Sequence, residues 1–97
     1  MNIVIVGCGK VGGKLAEQLS QEGTHNITVL DTRHAKVQDL TNQFDIMGVV
    51  GSCTDIDVLT EAGVTDADIL IAVTGSDELN LLTCLIVFIS CDKPSSA

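Results

Sequence analysis

The sequence predicts an α/β fold in which helices cover both faces of a parallel β-sheet. Short β-branched runs alternate with segments of helical periodicity along the 97 residues. The first run leads at once into Gly7-Cys8-Gly9-Lys10-Val11-Gly12, which has the spacing G-x-G-x-x-G, and Asp31 ends the second run. These features are typical of a three-layer Rossmann-type fold with strand order 3-2-1-4, and the short length predicts an incomplete second half.

The first half of the chain is predicted to form strand, helix, strand and helix. Ile3 to Val6 is a continuous β-branched run, which predicts a buried parallel strand. From Lys10 to Glu22 apolar residues recur every four positions, which predicts a helix with one buried stripe that ends at Gly23. A second strand is predicted over Ile27 to Leu30, and a second helix over about residues 34–43.

The second half repeats this pattern with shorter elements. Ile46 to Val50 predicts a third strand, interrupted by Gly48. We expect Thr54 to cap a short third helix, because a hydroxyl at this position accepts a hydrogen bond from the helix N-terminus. That helix is expected to end at Gly63, and a fourth strand is predicted over Ile69 to Val73.

The apolar segment Leu79 to Ile89 closes the predicted domain, which spans residues 1–91 and is followed by a polar tail, residues 92–97. As a helix this segment is hydrophobic on all sides and therefore has to be buried. One side can face the sheet, and we expect the other side to form a dimer contact. A final strand or an exchanged element is the alternative, because short apolar runs do not separate helix from strand.

Composition disfavours several classes of function. The formal net charge of −8 and the absence of Trp and Tyr disfavour nucleic-acid binding, which uses basic surfaces and aromatic platforms. Because the four cysteines lack C-x-x-C spacing and no histidine has metal-ligand spacing, we expect buried free thiols and no metal site. No apolar run reaches the roughly 18 residues of a membrane span, and no signal peptide is expected.

The glycine loop, residues Gly7 to Gly12, follows a predicted strand and opens a predicted helix, as a dinucleotide-binding motif requires. Gly7 is expected to allow the tight turn, Gly9 to let the backbone approach a pyrophosphate, and Gly12 to bring the helix close to the sheet. The first N–H groups of the helix would then bind phosphates. A glycine turn without a ligand is the alternative.

Asp31 lies nineteen positions after Gly12, where an acidic residue accepts hydrogen bonds from the adenosine ribose hydroxyls in Rossmann-type sites. Its charge would repel a 2′-phosphate, so NAD is favoured over NADP. Arg33 has two interpretations. It either contacts the nucleotide, at the adenine face or at a 2′-phosphate, or it is a solvated charge in a loop.

The ends of the third and fourth strands, Gly51-Ser52-Cys53 and Thr74-Gly75, are predicted to line the crevice, because ligands bind outside the carboxyl ends of parallel strands. Ser52 and Thr74, with Gly75 beside it, could donate to phosphate or ribose oxygens, and turn or capping chemistry is the alternative. Lys10 either reaches a phosphate or is a solvated lysine on the helix surface. The residues do not form a recognisable catalytic pair, and both histidines are expected at the surface.

Four stretches resemble the RCK (or KTN) domain that opens the regulatory subunit of Trk-type bacterial potassium uptake systems. They are "MNIVIVGCGKVGGKLAEQL" (1–19), "ITVLDT" (27–32), "GVVGSCTDIDVLTEAG" (48–63) and "DADILIAVTGSDELNLLTCLIV" (66–87). The last contains Ala72-Val73-Thr74 followed by Asp77-Glu78-x-Asn80, which is typical of this family and not of dehydrogenases in general. The resemblance covers nearly the whole chain up to about Val87.

The resemblance implies a regulatory domain without catalytic activity. Domains of this family bind NAD(H), and some bind ATP or ADP, in the Rossmann crevice. They assemble as dimers and rings at the cytoplasmic face of a membrane potassium transporter or channel, where nucleotide binding biases the pore. Matching motifs place the nucleotide contacts, with Glu78 near the same crevice, on Gly7, Cys8, Gly9, Lys10, Val11, Asp31, Arg33, Ser52, Thr74 and Gly75.

The chain departs from this family at its C-terminus, where residues 88–97 do not resemble the usual two further strands and helices. We therefore expect a shortened domain whose fourth strand lies near an open sheet edge. Two other functions stay open. One is the cofactor-binding half of an NAD-dependent dehydrogenase, with its catalytic residues in another domain. The other is an oligomerisation piece that binds no ligand.

Overall fold

A computed structural model of the chain describes residues 1–91, without the side chains of Ser90 and Cys91. The predicted polar tail, residues 92–97, lies outside the described residues. Four strands alternate with four helices, and the elements are β1 (Asn2–Val6), α1 (Lys10–Glu22), β2 (Asn26–Asp31), α2 (His34–Gln43), β3 (Met47–Val50), α3 (Ile56–Glu61), β4 (Ile69–Ala72) and α4 (Asp77–Cys91).

The four strands form one parallel sheet with the order β3-β2-β1-β4, which confirms the predicted order. Successive residues of the central strand β1 enter two apolar clusters on opposite faces of the sheet. Ile3 and Ile5 pack with residues of α1 and α2, whereas Val4 and Val6 pack with residues of α3 and α4. A strand buried on both faces needs apolar residues at every position, so the three-layer arrangement explains the continuous run in the sequence.

The edge strand β3 differs from its prediction in two ways. It begins at Met47 rather than Ile46, and Gly48 does not interrupt it but pairs with Val29 of β2. A β-carbon at Gly48 would overlap the side chain of Val37 on α2. The glycine therefore lets α2 lie directly against β3. The other strands differ from their predicted bounds by at most one residue at each end.

The start of α3 corrects a prediction. Asp55, not Thr54, is the N-cap, because the Asp55 carboxylate accepts a hydrogen bond from the N–H of Asp57 at 2.9 Å. The Thr54 hydroxyl instead lies 2.8 Å from the hydroxyl of Ser52. Threonine and aspartate are both favoured N-caps, so their order in the sequence does not decide between them. The helix ends at Glu61, shortly before the predicted end at Gly63.

The apolar segment near the C-terminus forms the helix α4 and not the final strand that was its alternative. Its inner side includes the buried residues Cys84 and Val87, and the buried Thr83 hydroxyl donates to the Cys53 carbonyl at 3.2 Å. Its outer side exposes Leu81, Leu82, Leu85, Phe88 and Ile89. Among the described helices, none combines the length and the apolar character that crossing a membrane requires.

Candidate functional site

The glycine loop begins with a turn that only glycine adopts easily. Gly7 has a φ of +110°, and a β-carbon there would lie 2.8 Å from the carbonyl oxygen of Val73. The N–H of Gly7 donates to the carbonyl of Leu30 at 2.8 Å. The chain therefore leaves β1 in a conformation that is fixed by its neighbours on both sides.

Gly12 lets α1 start directly against this turn. A β-carbon at Gly12 would overlap the carbonyl oxygen of Gly7, whereas the side chain of Val73 would lie 3.4 Å away. The motif had predicted that the closest contact of Gly12 would be with the sheet. The closest contact is instead with the glycine loop itself. The first helical hydrogen bond runs from the Gly13 N–H to the Gly9 carbonyl at 2.8 Å. The three preceding N–H groups lack an intrahelical acceptor and are suited to bind phosphate.

Asp31 is the last residue of β2, and its side chain is only 8% exposed. Its Oδ2 accepts from the Cys8 N–H at 2.8 Å and from Nη2 of Arg33 at 2.9 Å. Its Oδ1 accepts from the N–H and Nε of Arg33 at 2.9 and 3.0 Å. The hydrogen bonds from the Arg33 side chain, above all, hold the pKa of Asp31 well below its usual range. The ionised carboxylate is an acceptor only, which suits ribose hydroxyls.

Arg33 forms an ion pair with Asp31 that neither interpretation of the sequence includes. Its side chain is 55% exposed, and its Nη2 lies 3.9 Å from the position of a β-carbon at Gly9. The hydrogen bond to Asp31 raises the pKa of Arg33 above its usual value. The guanidinium therefore lies beside the glycine loop at the mouth of the cavity described next.

A cavity of about 210 Å³ opens at the carboxyl ends of the strands. Small-molecule sites typically measure about 300–1,000 Å³, so this cavity is smaller than a typical one. Six of the ten predicted contact residues line the cavity, namely Gly7, Gly9, Asp31, Arg33, Thr74 and Gly75.

The other four predicted residues do not line this cavity. Cys8 and Lys10 line a second cavity of about 350 Å³ between α1 and α2. Val11 is exposed on α1. The Ser52 hydroxyl forms a hydrogen bond with the hydroxyl of Thr54. For Lys10 and Ser52 the geometry favours the alternatives, a lysine on the helix surface and a hydroxyl in a turn. The N–H groups of Lys10 and Val11 stay candidates for phosphate, because they belong to the first turn of α1.

The loop between β4 and α4 is fixed by Asn80, which the sequence shows only as part of a family signature. The Asn80 Oδ1 accepts from the Thr74 N–H at 2.8 Å and lies 2.7 Å from the Thr74 hydroxyl. The Thr74 hydroxyl is also 3.1 Å from the carbonyl of Ser76. It lines the cavity but is already engaged within its own loop. Glu78 is exposed and does not line the cavity.

The cysteine side chains near the site are buried thiols. Burial, with the charge of Asp31 as the next cause, raises the pKa of Cys8 to about 11, so Cys8 contributes its N–H and not a thiolate. Cys8, Cys53 and Cys84 are buried free thiols, as predicted, whereas the side chain of Cys91 lies outside the described part. Within that part, no three His, Cys, Asp or Glu side chains come together to hold a metal ion.

Sequence reasoning missed five residues of the cavity wall, most of them apolar and close to strand ends. The rule that ligands bind at the carboxyl ends of parallel strands identifies these segments. It does not show which side chains turn inward, because that depends on the packing of each loop. The five residues are Val6, Leu30, Thr32, Val73 and Leu79, whereas Gly51 and Cys53 line the cavity as predicted for the end of the third strand.

Comparison with known proteins gives a family match over nearly the whole chain. The family model of the TrkA-N domain matches residues 3–94. The chain is 41% identical over 95 residues to the Trk system potassium uptake protein TrkA of Vibrio alginolyticus, covering 98% of this chain and 20% of that protein. It is 46% identical over 84 residues to the protein of the same name from Halomonas elongata, covering 87% and 18%. The chain thus spans about a fifth of the length of these relatives.

Three solved structures share the fold. The TrkA-N domain of the inner membrane protein ybaL from Escherichia coli superposes with a TM-score of 0.85 at 19% identity, covering 96% of this chain and 67% of that one. The Kef CTD of Shewanella denitrificans in its AMP-bound form gives 0.82 at 19% identity, covering 98% and 56%. Saccharopine dehydrogenase from Saccharomyces cerevisiae gives 0.78 at 19% identity, covering 97% and 20%. At these identities the likeness shows the Rossmann-type fold alone.

The family match agrees with the four stretches that suggested the same family from the sequence. It covers the glycine loop, Asp31 and the signature that follows β4. The two curated relatives match this chain at 41% and 46% identity. The resemblance is therefore confirmed, and the chain belongs to the TrkA-N domain family.

Proposed function

We propose that the chain is the nucleotide-binding regulatory domain of a Trk-type potassium uptake system and binds NAD(H), or ATP or ADP, at the glycine loop. One observation carries the proposal. The nearly buried, ionised carboxylate of Asp31 lines the same cavity as the backbone of Gly7 and Gly9. The carboxylate can accept from ribose hydroxyls, and the start of α1 can donate to phosphates. The name of the relatives supports the role in potassium uptake.

The size of the cavity indicates which part of the ligand the chain holds. The unit from β1 to β3 corresponds to one of the two mononucleotide-binding halves of a Rossmann-type site. A space of about 210 Å³ suits the adenosine end of a nucleotide, which NAD, ATP, ADP and AMP have in common. We propose that this common part is recognised and that the rest of a dinucleotide extends along the carboxyl end of β4. The AMP-bound structure of the Kef CTD supports this choice.

Binding without catalysis is the activity that the cavity wall favours. Among the described residues, its titratable side chains are Asp31, Arg33 and Cys53. Asp31 is held ionised and cannot donate a proton near neutral pH, and an arginine does not deprotonate in proteins. A dehydrogenase half would take its acid or base from another domain, so the distinction rests on the relatives. The curated relatives are potassium uptake proteins, which favours the regulator over the dehydrogenase half.

Saturating NAD, NADH, ATP, ADP or AMP is expected to raise the melting temperature of the chain. A ligand at one hundred times its Kd that binds only the folded state adds about 2.7 kcal/mol, which for a domain of this size is about 10 °C or more. NADP serves as the control and should give a smaller shift, because Asp31 repels its 2′-phosphate. Unchanged melting curves with all five nucleotides would contradict nucleotide binding and support the oligomerisation piece.

We also propose that a second copy of the chain covers the outer side of α4, in a homo-oligomer at the cytoplasmic face of a membrane potassium transporter or channel. The outer side presents five apolar side chains in one patch, and β4 forms an edge of the described sheet. Exposed apolar patches and open edges both favour association. Nucleotide binding would regulate transport to the extent that its affinity differs between subunit arrangements.

The chain is expected to sediment as a dimer at micromolar concentration, and Leu85→Glu should shift it to a monomer by placing a charge in the α4 patch. Met47→Glu is the matched control, because Met47 is an exposed apolar residue of β3 at the opposite edge of the sheet. It should leave the sedimentation coefficient unchanged. A monomeric wild type, or equal effects of both variants, would contradict this interface.

A further inference from the structure

The carboxylate of Asp31 has no acceptor site left for a ligand. An ionised carboxylate offers about four lone-pair sites, and Asp31 accepts four hydrogen bonds, two at each oxygen. The ribose hydroxyls of a nucleotide can therefore reach Asp31 only after one or more of the present donors have left.

Two of the four donors are fixed by the backbone and two are not. The Cys8 N–H belongs to the glycine loop, and the Arg33 N–H belongs to the residue that precedes α2. The other two donors, Nε and Nη2, belong to the half-exposed side chain of Arg33. The Asp31 carboxylate is nearly buried, whereas the Arg33 side chain is 55% exposed, so water can solvate the guanidinium when it leaves. The Arg33 side chain is thus the donor group that can leave most easily.

Departure of the guanidinium would empty one acceptor site on each oxygen of Asp31, since Nε bonds to Oδ1 and Nη2 bonds to Oδ2. The 2′- and 3′-hydroxyls of a ribose are neighbours and can donate one hydrogen bond each. The same departure would clear the space beside Gly9, where Nη2 now lies and where a pyrophosphate approaches the backbone in Rossmann-type sites.

We propose that the Arg33 side chain occupies the ribose position of the free protein and that a nucleotide with a free 2′,3′-diol displaces it. This inference rests on the proposed function and deepens it by naming the ligand class that completes the exchange. A ribose diol replaces both hydrogen bonds that Asp31 loses. A 2′,3′-dideoxyribose replaces neither, and a 2′-phosphate brings a second negative charge to the carboxylate.

Arg33 is the single arginine of the sequence, so its Nε–H gives one NMR signal that needs no assignment. In the free protein this proton should exchange slowly with water, because it donates to Asp31. Saturating AMP should move the signal and raise its exchange rate by about tenfold or more, because the hydrogen bond to a charged acceptor that protects this proton is lost. The control ligand 2′,3′-dideoxy-AMP should shift the amide signals of Gly7 and Gly9 while the Nε–H stays protected.

The outcomes separate this inference from the proposed function. If AMP shifts the amides of Gly7 and Gly9 but leaves the Arg33 Nε–H protected, nucleotide binding stands and the displacement is wrong. If the dideoxy analogue releases Nε–H as AMP does, the diol is not what displaces Arg33, and the inference is overturned. If AMP leaves the amides of the glycine loop unchanged as well, the proposed function fails and the inference fails with it.

Discussion

Replacing Gly12 by alanine is expected to lower the free energy of unfolding by about 2–3 kcal/mol and to abolish binding of AMP. The new β-carbon would overlap the carbonyl oxygen of Gly7. That oxygen cannot move aside easily, because Gly7 is held by its hydrogen bond to Leu30 and by contact with Val73. Urea unfolding measures the loss of stability, and calorimetric titration with AMP measures the loss of binding.

Gly13→Ala is the matched control in the next residue of the same helix. The nearest atom to a β-carbon at Gly13 is Cδ2 of Leu40 at 3.8 Å, an ordinary contact distance. Alanine is favoured over glycine within a helix by about 0.5–1 kcal/mol, so this variant should be slightly more stable and should bind AMP unchanged. Equal stability of Gly12→Ala and the wild type would show that the glycine loop does not require the close approach.

Replacing Asp31 by alanine is expected to weaken AMP binding by roughly 10- to 100-fold, because charge-assisted hydrogen bonds contribute about 1.5–3 kcal/mol. The same replacement should lower the free energy of unfolding by about 1–3 kcal/mol, since the part-buried N–H of Cys8 loses its acceptor. From the sequence alone Asp31 has only a ligand role and the fold should tolerate its loss. The hydrogen bond from the Cys8 N–H gives Asp31 a structural role as well, so we expect the fold to form with reduced stability.

Asp68→Ala is the matched control for Asp31. The Asp68 carboxylate also accepts from a backbone N–H, that of Asn2 at 2.8 Å, but it does so at the other end of β1 and in contact with solvent. Water can replace this bond, so the variant should lose no more than about 0.5 kcal/mol and bind AMP as the wild type does. The assignment of the ribose to Asp31 is wrong if both variants retain wild-type affinity.

The ionisation of Asp31 gives the stability effect of Asp31→Ala a defined pH dependence. The folded protein holds the pKa of Asp31 below its unfolded value of about 3.9. Stability from such a group is fully present above the unfolded pKa and is lost as the pH falls toward the folded one. The difference in unfolding free energy between wild type and Asp31→Ala should therefore be constant near neutral pH and shrink below about pH 4. A constant difference down to about pH 3 would contradict this role.

Much of the fold could be predicted because its determinants are local or topological. The alternation of β-branched runs with helical periodicity, together with right-handed crossovers, leaves few arrangements of a parallel sheet. The cap of α3 could not be predicted to the residue, because Thr54 and Asp55 are both favoured at that position. The role of Gly48 was also missed, since its cause is the approach of α2 and lies in tertiary packing.

The candidate site was predictable where the backbone dictates the residue type. Gly7 is required by a positive φ, and Asp31 follows from the place where β2 ends. The ion pair between Asp31 and Arg33 was not predictable, because it depends on the side-chain conformation of one residue in a loop. Ser52 and Lys10 were predicted from their positions at the end of β3 and in the glycine loop. The Ser52 hydroxyl is instead hydrogen-bonded to that of Thr54, and Lys10 lines the cavity between α1 and α2.

A crystal structure of the chain grown with AMP tests most directly whether an adenine nucleotide binds at the glycine loop. We predict phosphate oxygens within hydrogen-bond distance of the N–H groups that open α1, and both ribose hydroxyls on the carboxylate of Asp31. Arg33 should have turned away from that carboxylate. AMP bound in the cavity between α1 and α2, or an intact pair of Asp31 and Arg33 with no nucleotide beside it, would contradict the proposed site.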